Sequence, residues 1–418
     1  MRMIHPSVVL ACALICSNVS AQTAPTPAAS APTAPGIRAE VRNPLLEAQS
    51  LINEKKYSQA KEKIQAANAI ADKSPYENYI ISRIALTAAI NEDDATTAAK
   101  LLEHMLVLDA IGAWLKPEES LQLMHAVGIA HYRVKDYAKA AEWMDRNIQA
   151  GGAEQSVRDA RIQSYLLSGN LQRGSELIEE EIARGNKVGK IPSQAYLKML
   201  VQARTGLKDT VGATIALELL VQHYPNKDHW RSLINKLWAR ADLATRLQLD
   251  VFRLVAYVSA LEETTDYTEY IDFSQKAGFS AEALRVFDQG VTAGLVGAGA
   301  DADSHKKLRM KLVQEVDQDR KTMVADTAAA LKKPDGFALF NIGLNMVGME
   351  QFDKGIELME KAIAKGLAKR PEDARLRLAI AYTMAGQVEK ARQSFATVSG
   401  NEGLDQLVRY WTLALRKP

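Results

Sequence analysis

Large apolar and small residues recur along the chain in a phrase with constant internal spacing. A large apolar residue is followed three positions later by a small residue, and four positions after that by another large apolar residue. The phrase begins at Tyr57, at Tyr137 and at Phe352, with Ala60, Ala140 and Gly355 as the small residues. Apolar residues spaced three and four apart share one side of a helix, so each phrase predicts an amphipathic helix.

The small residue of this phrase returns with a period of 34 residues or slightly more, and we call its occurrences the small-residue series. The series consists of Ala60, Ala98, Ala140, Gly174, Ala213, Leu247, Ala283, Gly355 and Ala391. Successive spacings lie between 34 and 42 residues, apart from one of 72 that corresponds to two units. A period of this size indicates a repeat protein. Leu247 is too large for the pattern, which predicts looser packing in its unit.

A second helix precedes the small residue in each unit. Ahead of Ala140, Val127, Gly128 and His131 form one stripe of a helix, and later units repeat this spacing. Short polar turns such as Lys135-Asp136 separate the two helices. Because one such pair cannot bury its apolar face alone, we expect consecutive pairs to stack.

These units resemble the tetratricopeptide repeat, a motif of about 34 residues with small and aromatic residues at fixed positions. The similarity is clearest at Asn341, Ile342, Gly343, Phe352, Gly355, Met359 and Ala362, and at Ala379, Tyr382, Gly386, Ala391 and Phe395. The resemblance implies an all-α fold: an α-solenoid in which helix-turn-helix repeats form a right-handed superhelix with a concave groove. It is weakest between His305 and Lys333, where we predict a helical pair without the small residue.

The repeats follow an N-terminal leader. Residues 1–21 have the basic start, short apolar run and small residues of a signal peptide, and residues 22–43 begin with a Pro- and Ala-rich stretch that predicts a linker. We then expect N-terminal repeats at 44–262 and C-terminal repeats at 263–400. A capping helix is predicted at 401–418.

The leader predicts export across the inner membrane, most simply to a periplasm. Its apolar run is too short for a permanent membrane span, so we expect no stable membrane insertion after cleavage. A lipoprotein anchored at Cys12 is an alternative, disfavoured by the bulky Leu10. Both cysteines, Cys12 and Cys16, lie in the leader, so disulfides would not contribute to the exported chain.

Charge and residue chemistry narrow the function. The 52 basic and 50 acidic residues leave a formal net charge of +2, which provides no electrostatic footprint for nucleic acid. No histidine pair has zinc-helix spacing, and neither a phosphate loop nor a nucleophile elbow occurs. His131 occupies a position usually held by a large packed side chain, which favours a core role. We therefore predict no enzyme, no metal and no cofactor, with an enzyme subunit bearing an unrecognised site as a remaining alternative.

The resemblance implies that particular positions of the first helix of each repeat line the groove and bind a partner. Before Ala140 these are the Ala140 set: Gln122, His125, Ile129, Tyr132 and Arg133. Before Gly355 they are the Gly355 set: Phe337, Phe340, Leu344 and Val347. Two Phe residues one turn apart on an exposed face would anchor an apolar segment. The alternative is that the helical region near 310–330 folds over them and makes them core.

A protein-binding scaffold is the function that this pattern favours. The stretches from Leu219 to Trp230 and from Ala277 to Gly294 resemble repeat proteins that accompany TonB-type energy-transduction systems. That resemblance implies a periplasmic adaptor assisting a TonB–ExbB–ExbD complex. The alternative from another class is a recognition factor for cell-envelope polymer, either peptidoglycan or exported polysaccharide, which would require aromatic residues along the groove.

Overall fold

The computed structural model describes residues 36–367, 369–401 and 403–415, and the described chain falls into two compact units that divide between Val188 and Gly189. The predicted signal peptide and most of the predicted linker lie outside the described residues. In the described part of the first unit, helices occur at α1 (Ala39–Asn53), α2 (Tyr57–Asn68), α3 (Pro75–Asn91), α4 (Ala95–Gly112), α5 (Pro117–Arg133), α6 (Tyr137–Gln149), α7 (Gln155–Leu167) and α8 (Leu171–Asn186).

The second unit contains longer and less regular elements as well as helix pairs. Its helices are α9 (Gln194–Gly206), α10 (Thr210–His223), α11 (Lys227–Trp238), α12 (Gln248–Tyr257), α13 (Thr264–Lys276), α14 (Ser280–Thr292), α15 (Ala302–Lys332), α16 (Phe337–Gly348), α17 (Phe352–Lys365), α18 (Pro371–Met384), α19 (Val388–Ala396) and α20 (Leu404–Ala414). Short 3₁₀ turns at Thr245–Leu247 and Gly299–Asp301 precede α12 and α15.

Helices pack in consecutive pairs, and no strand occurs among the described residues. Each pair also packs against a neighbouring pair, as α2 does on α3 and α4 on α5. The chain is therefore an all-α solenoid of helical repeats, and this part of the sequence prediction is confirmed.

A common three-residue turn joins the two helices of eight pairs in the described chain. Its middle residue has a left-handed backbone in every case: Lys55, Asp93, Lys135, Gly169, Lys208, Gly278, Glu350 and Gly386. The third residue donates its N–H to the carbonyl five residues earlier, as Asp136 does to His131 at 2.9 Å. This bond satisfies a carbonyl left free at the helix end and fixes the reversal of the chain.

The small-residue series lies where the two helices of a pair cross. Its alanines are fully buried, and the α16–α17 crossing is the tightest illustration. A Cβ added to Gly343 would lie 2.6 Å from the carbonyl oxygen of Gly355, and one added to Gly355 would lie equally close to that of Gly343. Larger side chains would force the helices apart, which is why the sequence repeats Gly and Ala at this position.

The unit that contains Leu247 departs from the pair geometry, as its large side chain predicts. The connection between α11 and α12 spans residues 239–247 instead of three, and Leu247 is fully buried in the 3₁₀ turn. In α12, seven consecutive residues from Leu249 to Val255 are buried, so the helix is enclosed on all sides. Its neighbours include α11, α13 and α20.

The region from His305 to Lys333 is one helix, not the helical pair that the sequence analysis predicts. α15 runs for 31 residues without a break, and only Leu312, Val316 and Ala330 are buried along it. A pair would require a turn-forming break, and the segment contains no Gly or Pro before Pro334. The helix therefore continues and packs one stripe on α14 and α16.

The C-terminal helix does more than cap the last pair. α20 packs on α19, where a capping helix was expected, and also on α10 and α12. The indole N–H of Trp411 donates to the carbonyl of Asp250 at 3.3 Å, and Arg409 forms an ion pair with the buried Glu218 at 2.5 Å. Within the second unit, the last helix thus packs on two helices from earlier in the chain, α10 and α12.

Element boundaries differ in detail from the predicted segments. α1 begins at Ala39, inside the segment 22–43 assigned to the linker, and the boundary expected between residues 262 and 263 falls within the second unit. Across the described ranges, no helix has the length and apolar run needed to cross a membrane.

Candidate functional site

The Ala140 set lies along α5, a helix that begins with Pro117 and carries Glu118 and Glu119 in its first turn. Proline at the first helical position and acidic residues near the N-terminus both favour helix initiation there. α5 packs on its partner α6 and on α3, α4 and α7 of the adjacent pairs. These contacts bury one side of the helix and leave the Ala140 set along the other.

Exposure varies along the Ala140 set in a regular way. Gln122 and Arg133, at the two ends, are exposed, whereas His125, Ile129 and Tyr132 between them are half-buried. Ile129 packs partly against the buried cluster of Met144, Val157 and Ala160, which anchors the middle of the face. The set therefore presents a shallow row of half-buried side chains with polar ends.

Tyr132 connects this row to the next repeat. Its hydroxyl donates to Oε1 of Gln163 on α7 at 3.0 Å, and its ring meets that of Tyr137 edge-on with centroids 5.3 Å apart. Burial raises the pKa of Tyr132, so the hydroxyl stays protonated at neutral pH. The Ala140 set thus continues onto α7 through a polar bridge.

The charges at this face are modest. Burial lowers the pKa of His125, partly offset by the charge of Glu154, so its imidazole is neutral at pH 7. Arg133 lies 3.3 Å from Asp93, and both side chains are about half exposed. A pair of this kind is weak and readily exchanged for a partner's carboxylate.

His131, on the opposite side of α5, is a core residue as the sequence analysis favoured. It is 1% exposed, its Nδ1 lies 3.3 Å from a carboxylate oxygen of Asp136, and burial lowers its pKa. Within the described chain its two ring nitrogens make no geometrically acceptable hydrogen bond. His125 and His131 therefore differ in burial, because they lie on opposite sides of α5.

The Gly355 set does not form the exposed apolar surface that was one of its two interpretations from sequence. Phe340, Leu344 and Val347 are 4%, 5% and 3% exposed, and only Phe337 is exposed, at 59%. The physical reason is the crowding of α16, which is packed by α14, α15, α17 and α18. The alternative reading, in which the helical region near 310–330 makes these residues core, holds for three of the four.

The structure also contains a buried charge network that sequence reasoning missed. The guanidinium of Arg253 on α12 donates to both carboxylate oxygens of Glu282 at 2.8 and 2.6 Å and to Asp250 at 2.6 Å. Tyr270 donates to Glu282 at 2.8 Å, and Arg377 on α18 reaches Asp250 at 3.1 Å. The participants lie up to 127 residues apart, so no local pattern could have connected them.

Burial and pairing compete in this network. Burial alone would raise the pKa of Glu282, but the Arg253 guanidinium outweighs it and leaves that pKa below its ordinary value. Burial and the Glu282 charge raise the pKa of Tyr270 well above its usual range. The groups are mutually satisfied and enclosed, which suits a structural role better than a chemical one. In the described ranges, no three His, Cys, Asp or Glu side chains are grouped so that they could hold a metal ion.

Comparison with known proteins adds little beyond the architecture. No family model matches the chain, and no curated protein does. Among solved structures, similarity is found to Naa15/Naa10 bound to HypK-THB, with 16% identity over 87% of this chain and a TM-score of 0.31. This chain spans only 58% of that protein's length.

Two further structures are similar over most of their own length. The TPR2AB domain of yeast Sti1 in complex with pHSP90 has 12% identity over 69% of this chain and 97% of its own, with a TM-score of 0.24. The P58(IPK) TPR domain has 12% identity over 89% and 98%, also at 0.24. These scores are too low to transfer positions, so the functional argument depends on this chain's own residues.

Proposed function

We propose that this chain is a non-catalytic scaffold that binds a segment of a partner protein along the Ala140 set. The observation that carries the proposal is the row of His125, Ile129 and Tyr132, half-buried and spaced three to four residues apart on one side of α5. Half-buried side chains of this kind are held in place by the fold yet keep an exposed edge for contact. The exposed ends of the set, Gln122 and Arg133, supply polar contacts at its rim.

The chemistry of the face suits an extended polypeptide better than a small substrate. Tyr132 offers a large, rigid surface with a hydroxyl, and Ile129 provides an apolar contact surface beside it. The hydrogen bond to Gln163 places this side-chain amide beside Tyr132, where its N–H groups can donate to a partner's backbone. A partner is thus recognised by shape and by a few hydrogen bonds.

The compartment and partner form the finer part of the proposal. The leader pattern supports export, and the stretches 219–230 and 277–294 support an adaptor that assists a TonB–ExbB–ExbD complex. Recognition of envelope polymer is the weaker candidate, because burial of Phe340 leaves Phe337 alone of the aromatic pair on which it depended.

A charge reversal at the ends of the Ala140 set tests the proposal. The variant Gln122→Glu/Arg133→Glu changes two exposed side chains, and Gln65→Glu/Lys100→Glu is a control with the same charge change at exposed positions of α2 and α4. Each chain is used to capture proteins from detergent-solubilised envelope, and the bound proteins are identified by mass spectrometry. We expect the first variant to lose specific partners that the control and the unaltered chain retain.

The outcomes separate the parts of the proposal. Equal recovery by both variants would exclude the Ala140 set as the binding surface. Loss of partners other than TonB, ExbB and ExbD would retain the scaffold and reject the TonB association. Retention of purified polymer without any protein partner would favour polymer recognition.

A further inference from the structure

The second unit contains a groove between α14, α15 and the turn after α16 that takes no part in the proposed partner surface. The cavity measures about 640 Å³ and is open to solvent on one side. Its walls include Leu284, Arg285 and Asp288 from α14, Val316 and Arg320 from α15, and Met349 from the turn. We call this the α14–α15 groove. A volume of this size suits a few residues of a peptide or a comparable ligand.

Arg285 is the unusual group in this groove. Its Nε and Nη2 atoms are covered and donate no hydrogen bond to any described residue. A guanidinium stays charged at any ordinary pH, and buried polar groups in folded proteins nearly always have partners. Nε and Nη2 lie on one edge of the guanidinium, the edge that binds both oxygens of a carboxylate.

The carboxylates around Arg285 are already engaged. Glu282 interacts electrostatically with Arg285, but its two carboxylate oxygens already accept hydrogen bonds from Arg253. One of them also accepts from Tyr270. Asp288 is held by Arg309, which donates to its two oxygens at 2.8 and 3.3 Å. Nε and Nη2 of Arg285 therefore make no hydrogen bond to either of these two carboxylates.

The rest of the lining also favours a ligand with a negative charge and apolar flanks. Arg320 is 61% exposed, and its contact with Asp317 is long, at 3.8 Å. Because this ion pair is weak, the Arg320 side chain can turn toward an anion in the groove. Glu350 also lines the groove and would repel a carboxylate placed beside it. Leu284, Val316 and Met349 supply apolar surface between these charges.

From these observations we infer that the α14–α15 groove binds a glutamate side chain flanked by apolar residues on a segment of a partner protein. The Arg285 guanidinium rotates toward the groove, and its Nε and Nη2 donate to the two carboxylate oxygens. The flanking apolar side chains contact Leu284 and Val316. The inference assumes that the chain is a protein-binding scaffold, but it uses a surface separate from the Ala140 set.

The test uses three short peptides and titration calorimetry with the full chain. The first is acetyl-Ala-Leu-Glu-Leu-Ala-amide, the second has Gln in place of Glu, and the third has that Gln with a free C-terminal carboxylate. We expect the Glu peptide to bind about ten- to a hundredfold more tightly than the Gln amide, since a bidentate charged contact is lost. The variant Arg285→Gln should show the same loss, and Arg285→Lys, which lacks the two-donor edge, a smaller one.

Arg392→Gln is the matched control, since Arg392 is an exposed arginine outside the groove, and each variant is checked by its thermal melting curve. Equal binding of the Glu and Gln amides, or unchanged binding by Arg285→Gln, would overturn the inference. Tighter binding of the free-acid peptide would assign the site to a chain terminus instead. No binding of any peptide at about 10 mM, or equal binding of acetate alone, would also reject it.

This test is independent of the Ala140 set. The variant Gln122→Glu/Arg133→Glu should bind the Glu peptide as the unaltered chain does. If that variant loses its envelope partners while the peptide still binds, the two surfaces act separately. Failure of one proposal is therefore visible without failure of the other.

Discussion

α5 in the first unit and α16 in the second occupy the same position in a repeat but differ in the burial of their side chains. Gln122, His125, Ile129 and Tyr132 precede Ala140 at the same distances as Phe337, Phe340, Leu344 and Val347 precede Gly355. The first of each set is exposed, but the other three are half-buried on α5 and fully buried on α16. Position within a repeat therefore determines how a helix packs on the other helix of its pair. It does not determine which face of the helix is exposed to solvent.

The neighbours of the two helices account for this difference. α5 packs only on helices of regular pairs, whereas α16 also packs on the unpaired 31-residue α15. The second unit further encloses α12 with both partners of its Arg253–Glu282 pair buried, whereas the buried Glu77 of the first unit pairs with the half-exposed Arg38. The first unit thus keeps a row of half-buried side chains at these positions, whereas the second uses the equivalent positions as core.

The largest expected effect comes from placing a charge at equivalent positions of the two helices. Leu344→Glu buries a carboxylate without a partner and should lower the free energy of unfolding by about 4 kcal/mol or more. Ile129→Glu can extend its carboxylate to solvent, and we expect a loss below about 2 kcal/mol. Urea unfolding followed by circular dichroism measures both, and similar losses would mean that the two faces are equally buried.

An intermediate effect tests the buried charge network of the second unit. Arg253→Ala leaves Glu282 and Asp250 without their main partner and should cost about 3–5 kcal/mol of unfolding free energy. Arg392→Ala removes the exposed pair with Glu389 in the same unit and should cost less than about 1 kcal/mol. Equal urea midpoints for the two variants would show that the network contributes no more than a surface pair.

The smallest effect concerns an ion pair at the start of the first unit and depends on pH. Glu77 accepts from the side chain of Arg38 at 3.0 Å and from the N–H of Ser74 at 2.9 Å, and these contacts, led by that of Arg38, lower its pKa to about 2. Because the folded pKa lies below the ordinary value of 4.5, the stabilisation is complete above pH 4.5 and is lost as the pH falls toward 2.

The variant Glu77→Gln makes this visible. Its melting temperature should lie below that of the unaltered chain at pH 7, and the gap should narrow as the pH falls from about 4.5 to about 2. Melting curves at a series of pH values measure the gap. A gap that stays constant over this range would mean that the charge of Glu77 does not stabilise the repeat.

The comparison also shows how much of the site was predictable. The Ala140 set could be placed on one face of its helix from the positions that the repeat resemblance implies, since its neighbours are ordinary pairs. The Gly355 set could not, because its burial depends on how α14, α15 and α18 pack around α16, which its own repeat pattern does not specify. Arg285 gave no signal in the sequence, since an arginine on an amphipathic helix is ordinary until its partners are known.

By itself, the sequence determined the paired helices of the regular repeats and their turns, but not the single long helix α15. These depend on contacts within about 40 residues: the small side chains that let two helices cross, the residue with a left-handed backbone between them, and the apolar stripe of each helix. Tertiary structure alone decided that α12 and the Gly355 set became core, that α20 packs on α10 and α12, and that Nε and Nη2 of Arg285 make no hydrogen bond within the described chain. Those outcomes depend on residues far apart in the chain, whose approach is set by the summed packing of many pairs and not by any local pattern.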